Sequence, residues 1–300
     1  MKVLCYGSLN IDYVYKVDHF VQKGETMSSL GLNVFTGGKG LNQSIALAKA
    51  GVETWHAGAI GEDGKFLVDE MDAAGVNTSC VSVLTDVRSG NAIIQNDKEG
   101  DNCILLYGGA NQAITEAQVD AVMSHFEEGD FLVLQNEINN LPYIMEKAHE
   151  IGMKIVLNPS PMNEKILALP LAFVTYFMLN EVEAGQILGV DTKNGFEGEV
   201  LAKALIEKFP GSSIVLTMGS AGSVYVDEDK VVPQCVYRVK AVDTTAAGDT
   251  FTGFFIGGLI RGLEVKEAMD MASRASAIAV TRPGAAPSIP VLAEVEQFKL

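Results

Sequence analysis

Val242-Asp243-Thr244-Thr245-Ala246-Ala247-Gly248-Asp249-Thr250-Phe251 leads into a run of small and aromatic residues from Thr252 to Leu259. Small residues directly ahead of a helix leave the N–H groups of Ala246, Ala247 and Gly248 accessible, and the helix dipole adds partial positive charge there. The result is a candidate anion hole with a carboxylate, Asp249, beside it. Two readings stand for that carboxylate. It caps the helix, as Asp commonly does, or it takes a proton from a nucleophile that attacks the bound anion.

Upstream of this stretch, short β-branched or apolar runs occur at Val3 to Tyr6, Leu132 to Gln135, Ile155 to Leu157, Val174 to Met178 and Ile214 to Met218. Between them lie helical patterns at Gly40 to Ala50, Phe66 to Ala74, Glu116 to His125, Leu141 to Ile151, Glu181 to Leu188 and Gly198 to Lys208. Apolar residues recur there at three- and four-residue spacing, as in Leu41, Ile45 and Ala48. Alternation of this kind predicts a parallel sheet with crossover helices. Ile11 to Phe20, Ser29 to Phe35 and Ser79 to Leu106 break the rhythm with strand-like patterns and a turn at Asn96-Asp97-Lys98-Glu99-Gly100. They read as a small antiparallel sheet, either a lid over a ligand or a hairpin extension without function.

Four more motifs fall at predicted strand ends. Thr36-Gly37-Gly38-Lys39-Gly40-Leu41-Asn42-Gln43 is a glycine-rich strand-to-helix turn that lets backbone N–H groups approach a ligand, but it has neither Walker A nor G-x-G-x-x-G spacing. Gly7-Ser8-Leu9-Asn10-Ile11-Asp12 sets an amide and a carboxylate two residues apart, a pair suited to sugar hydroxyls or to an ordinary capped turn. Glu137, after its own strand, is a further acceptor. Asn180-Glu181-Val182-Glu183 opens a helix, where glutamates commonly complement the dipole and where an amide and a carboxylate also suit magnesium held through water. Thr217-Met218-Gly219-Ser220-Ala221-Gly222 ends a strand in a two-glycine turn, at the edge where open α/β sheets bind ligands or at a hairpin into Ser223 to Val226.

Composition narrows the classes. The 300 residues are 48% apolar and 20% charged, with 30 Gly and 9 Pro, which describes a well-buried globular chain of one large core. Thirty-eight acidic against 22 basic residues give a formal charge of −16, which disfavours nucleic acid as a partner. Cys5, Cys80, Cys103 and Cys235 are scattered without zinc spacing and read as reduced thiols. His19, His56, His125 and His149 are equally scattered and are assigned no chemistry. No signal peptide or membrane span is read, so a cytoplasmic protein is expected.

Taken together and in this order, the motifs resemble the ribokinase-like, or PfkB-type, carbohydrate kinases. The resemblance runs nearly the whole length, through Gly24-Glu25-Thr26, Gly109-Ala110-Asn111, Leu157-Asn158-Pro159 and Ala277-Ile278-Ala279-Val280-Thr281-Arg282-Pro283-Gly284-Ala285-Ala286-Pro287-Ser288. It implies a three-layer α/β/α domain over residues 1–300, with a mostly parallel central sheet and a small antiparallel β lid from about residues 11–36 and 79–107. It implies transfer of the γ-phosphoryl group of ATP to the primary hydroxyl of a pentose, D-ribose foremost. A nucleoside, a ketohexose or its phosphate, a 2-keto-3-deoxy sugar acid and a non-catalytic sugar sensor of the same fold are the alternatives.

Position by position, the resemblance puts Asn10, Asp12, Gly37, Gly38, Lys39, Asn42 and Glu137 at the sugar and makes Asp249 the catalytic base. Ala246, Ala247 and Gly248 match the anion hole. Asn180, Glu183, Thr217, Gly219, Ser220 and Gly222 fall on the nucleotide and magnesium side, and Asp243, Thr245, Ala279, Arg282, Gly284 and Ser288 on loops that hold potassium through backbone carbonyls. A homodimer formed through the lids is also implied. The chain departs from the common pattern at Gln95, at Gln135-Asn136-Glu137-Ile138-Asn139, at Thr252 and at Pro283.

Overall fold

The computed structural model of the chain describes residues 1–192 and 195–299. Its strands are β1 (Val3–Tyr6), β2 (Asn10–Lys16), β3 (Gly31–Gly37), β4 (Thr54–Gly61), β5 (Asn77–Leu84), β6 (Gly90–Asn96), β7 (Asn102–Tyr107), β8 (Phe131–Gln135), β9 (Lys154–Asn158), β10 (Val174–Asn180), β11 (Ser213–Thr217), β12 (Ser223–Val226) and β13 (Val231–Gln234). The helices are α1 (Lys39–Lys49), α2 (Lys65–Ala73), α3 (Glu116–Met123), α4 (Leu141–Ile151), α5 (Glu181–Leu188), α6 (Gly198–Lys208), α7 (Ala247–Ile260), α8 (Val265–Ala279) and α9 (Leu292–Gln297).

Nine strands form one sheet in the order β13-β12-β11-β10-β9-β8-β1-β4-β5, parallel from β11 to β5, with β12 and β13 added antiparallel at one edge. Successive side chains of a strand point to opposite faces, and β1 divides accordingly. Leu4 and Tyr6 join a core with α3, α4, α5 and α6, through Val119, Ile144, Ala184 and Leu201. Val3 and Cys5 join the opposite core with α1, α2, α7, α8 and α9, through Leu41, Met71, Phe254, Met269 and Val295. The two cores on one sheet make the three-layer α/β/α sandwich. Among the described residues no helix is long and apolar enough to cross a membrane.

From β1 the chain moves outward to β4 and β5 on one side, then returns through β8 to β9, β10 and β11 on the other. The reversal between β1 and β8 is a topological switch point, where open α/β sheets form a crevice at the carboxyl ends of their strands.

The second sheet has four strands in the order β3-β2-β6-β7. Its outer pairs are antiparallel, while β2 and β6, the central pair, run parallel with Asp12 opposite Ala92. The turn at 96–100 joins β6 to β7 as expected. Residues 79–84, expected in this small sheet, instead lie in β5, which pairs in parallel with β4 at the edge of the large one. β4 itself has no counterpart in the sequence reading. Its interior, Ala57-Gly58-Ala59, has little β-propensity, and full burial rather than local preference makes it a strand.

Helix α7 is buried on nearly every side, from Asp249 through Gly258. It can lie close to α1 because its contact positions lack side chains. A Cβ on Gly253 would come within 2.8 Å of the backbone of Ala46 and Leu47, and one on Gly257 within 2.7 Å of Ala50 Cβ. This contact brings the first turns of both helices to the crevice.

Candidate active site

Asp249 stands in the first turn of α7 and is only 6% exposed. The N-cap of that helix is Ala246, which makes no side-chain capping bond, so the capping reading of Asp249 falls away. Its carboxylate faces α1 instead. Oδ2 accepts a hydrogen bond from Asn42 Nδ2 at 3.1 Å, and Oδ1 accepts one from Gln43 Nε2 at 2.9 Å. The first bond into α7 runs from the Thr250 N–H to the Ala246 carbonyl at 2.9 Å. Of the expected anion-hole donors, the Ala247 N–H is engaged by the Thr244 carbonyl at 3.2 Å. The N–H of Gly248 lies ahead of the first intrahelical bond, as does that of Asp249.

The start of α1 fits tightly against the turn after β1. Gly38, its N-cap, has φ 99°, a conformation that L side chains rarely adopt, and a Cβ on Gly40 would overlap the Ser8 backbone. The Lys39 N–H donates to Glu137 Oε2 at 3.1 Å, and the Ser8 hydroxyl donates to the same oxygen. Asn10 is buried, and its Oδ1 accepts from Asn111 Nδ2 at 2.8 Å. Asp12 sits across the strand pair from Phe35, its carboxylate lying where a side chain on Gly37 would be. The expected sugar-side residues are therefore on the first half of β2, at the end of β3, at the N-cap and first turn of α1, and just after β8.

Four carboxylates and one ammonium act on one another in this crevice. Burial pushes the Asp12 carboxyl up to about 7, and the charge of Glu137 adds to the shift. Burial also raises Glu137, against the opposing effects of the Ser8 hydroxyl and Lys39. Lys39 is held in its charged form chiefly by Asp249, then by Glu137 and Glu183. Glu183 is raised by burial; its Oε2 accepts the Asn180 N–H at 3.0 Å while its own N–H donates to Asn180 Oδ1 at 2.9 Å.

Two cavities meet at α7. The smaller, about 200 Å³, is lined by Lys39, Asn180, Glu183, Gly248, Asp249 and Thr252 among others. The larger, about 690 Å³, is bordered by the turn carrying Gly219, Ser220 and Gly222 and by Tyr237, Arg238 and Phe251. Thr217 and Gly248 line both, so the expected nucleotide-side residues border two neighbouring cavities, the smaller of which also holds Asp249.

The expected cation loops come together beside it. Asp243 accepts from the Thr245 N–H at 2.9 Å and from its hydroxyl, and from the Gly284 N–H at 2.9 Å. The Ala279 carbonyl accepts the Arg282 N–H at 3.0 Å, and the Ser288 hydroxyl bonds the Ala285 carbonyl at 2.7 Å. The Arg282 guanidinium turns away to Glu294 at 2.6 Å, leaving only its carbonyl for a cation.

Gln43, Ser8, Asn111 and Asn158 carry no role on sequence grounds, although each stands inside one of the motifs above. Gln135 stands there only as a departure. The signal was a polar residue in an otherwise apolar, buried segment, and Gln43, Gln135 and Ser8 are each fully buried.

The sequence model of the pfkB family of carbohydrate kinases matches residues 1–292. Ribokinase of Staphylococcus aureus (strain COL) is 33% identical over 308 residues, spanning 99% of each chain. Among solved structures, ribokinase of Cryptococcus neoformans var. grubii serotype A in complex with ADP is 30% identical, with TM-score 0.85 over 99% of this chain and 98% of that one. Arabidopsis thaliana ribokinase complexed with ribose and ATP is 26% identical, with TM-score 0.86 over 99% and 97%.

The raised Asp12 carboxyl has a consequence for stability. Its unfolded value is near 4, so folding is disfavoured by its ionisation as pH rises from there through about 7. Asp12→Asn is expected to raise the thermal midpoint of the ligand-free protein at pH 8, and the gain should close between pH 7 and 4. Thermal melts of both proteins across that range check this; a gain that grows toward low pH contradicts it.

Proposed function

The chain belongs to the pfkB family of carbohydrate kinases, and from that premise we propose that it transfers the γ-phosphoryl group of ATP to the primary hydroxyl of D-ribose, giving ribose 5-phosphate. The observation that carries the reading is Asp249, a buried carboxylate held by two amides in the wall of the smaller cavity, beside Lys39, Asn180 and Glu183. Relatives described as ribokinases that match end to end support the choice of sugar.

In this reading Asn10, Asp12, Asn42 and Glu137 bind the sugar hydroxyls, with the glycines at 37 and 38 giving the sugar access to the backbone. Asp249 accepts the proton of the attacking hydroxyl, a contribution of roughly 10²–10⁴-fold. The N–H groups of Gly248 and Asp249, at the turn formed by Ala246 and Ala247, stabilise charge on the transferring group, and Lys39 adds its ammonium. Holding both reactants in line removes about 7–11 kcal/mol of the barrier.

The nucleotide lies along Asn180 and the turn from Thr217 to Gly222. The carboxylates that face Lys39 repel a bare polyphosphate, which fits a divalent cation between them. Asn180 and Glu183 would hold magnesium through water, and its charge would offset that of the phosphates. The two loops tied through Asp243 and Gly284 present the carbonyls that would hold potassium. We place the enzyme in the cytoplasm.

The test is ADP release from ATP and magnesium over ribose, deoxyribose, fructose, adenosine and 2-keto-3-deoxygluconate, with and without potassium. Fast turnover on ribose, stimulated by potassium, is the expected result. Fast turnover on another member alone would overturn the substrate, and none at all would favour a sugar sensor.

The small sheet is proposed to close over the sugar as a lid and to pair with a second copy. One face of it exposes Leu32, Val34, Ile93 and Leu105, of which Leu105 is 68% exposed, a larger apolar face than single surface residues make. Sedimentation is expected to find a dimer that Leu105→Glu converts to monomer. A wild-type monomer at micromolar concentration would contradict it.

A further inference from the structure

Behind Asp249 lies a run of buried amides that phosphoryl transfer does not by itself require. Gln43 Nε2 donates to Asp249 Oδ1 at 2.9 Å and to Asn158 Oδ1 at 3.4 Å, while Gln43 Oε1 accepts from Gln135 Nε2 at 2.7 Å. Both hydrogens and the oxygen of the Gln43 amide are thereby used. Asn158 is itself fixed, donating to the Met178 carbonyl at 2.8 Å.

The chain of bonds has a direction. An ionised carboxylate only accepts, so Asp249 takes the nitrogen end of Gln43, and the oxygen end points back into the core where it needs a donor. Gln135 supplies that donor. Its amide nitrogen also lies 3.5 Å from Cys5 Sγ, and the Cys5 thiol faces the Gly40 carbonyl at 3.4 Å. Among the described residues the Gln135 oxygen has no hydrogen-bond partner, and it sits where a side chain on Gly7 would be. A fully buried amide with an unpaired oxygen is a poor choice for stability, and an apolar side chain of the same volume would fill the space at lower cost.

We propose that Gln43 is a positioning residue for Asp249, and that Gln135 fixes which end of the Gln43 amide faces the carboxylate. The proposal rests on Asp249 being the base. Without the Gln135 donor the inward Gln43 oxygen loses its partner, and only the acceptors Asp249 and Asn158 hold the amide in this sense. A reversed amide would set oxygen against carboxylate oxygen and displace Asp249 from the hydroxyl it serves. A misplacement of this order lowers turnover without touching the residues that bind sugar or nucleotide.

The test is a double-mutant cycle with Gln43→Met and Gln135→Met, both close in volume to the native side chain. Gln43→Met is expected to lower kcat by roughly 10–100-fold and Gln135→Met by several-fold, with KM for sugar and ATP changed less than about 3-fold. The double variant should match Gln43→Met alone, because Gln135 then has no amide left to orient. Additive losses, unchanged kcat in Gln43→Met, or losses confined to KM overturn the proposal. If Gln43→Met fails to give a native circular dichroism spectrum, Gln135→Met decides by its kcat at unchanged KM.

A second readout needs no turnover. The side-chain NH₂ resonances of Gln43, identified by their loss in Gln43→Met, should exchange slowly with solvent in the wild type and faster in Gln135→Met. Equal exchange overturns the orienting role. If the enzyme prefers a sugar other than ribose, the cycle run on that sugar separates failure of the substrate assignment from failure of this one.

Discussion

An ionisable carboxylate can be kept in a protein interior only if donors replace the water it has lost. Asp249 meets that condition through Asn42 and Gln43, adjacent residues near the start of α1. Much of the surrounding architecture follows from the need to bring α1 and α7 within reach of each other. Gly253 and Gly257 let the helices touch through Ala46 and Ala50, and Gly40 lets the start of α1 press on the turn after β1. Larger residues at these positions would force the helices apart and leave the carboxylate without its partners.

The sheet supplies the rest of the crevice. The turn after β1 brings Ser8 and Asn10, β8 leads into Glu137, β9 ends at Asn158, β10 at Asn180 and β11 at Thr217. All of them emerge from carboxyl ends of parallel strands, on both sides of the point where the strand order reverses. This common origin explains how residues from the first and last thirds of the chain share one electrostatic environment. Lys39 is held in its charged form by carboxylates from α7, β8 and α5 ends alike.

Much of this was legible in the sequence where local pattern and tertiary role agree. β1 and the helices α4, α5 and α6 fall at the residues expected, because their apolar patterns are clear, and α4 and α5 are also closed by Gly152 and Gly189 in the left-handed conformation. The Asn180–Glu183 capping box shows that a functional reading and an ordinary capping one can share the same atoms. Local pattern does not name a strand's partner, so residues 79–84 read as part of the small sheet although they pair with β4 in the large one. Nor does it reveal β4, whose Ala-Gly-Ala interior is a strand only because both faces are covered. The amides around Asp249 were hidden for a related reason. Gln43 lies 206 residues from Asp249 and 92 from Gln135, and nothing near any of them in sequence marks the contact.

The central claim is that Asp249 does chemistry and is not merely a buried structural carboxylate. Asp249→Asn keeps the shape and leaves one acceptor for the amides, but removes the ability to take a proton. Calorimetric titration of ribose and of a non-hydrolysable ATP analogue, set beside steady-state turnover of the same variant, tests it most directly. The account expects both affinities within a few-fold of the wild type and turnover lower by roughly two to four orders of magnitude. Turnover close to the wild-type value in a variant that binds both ligands would contradict it.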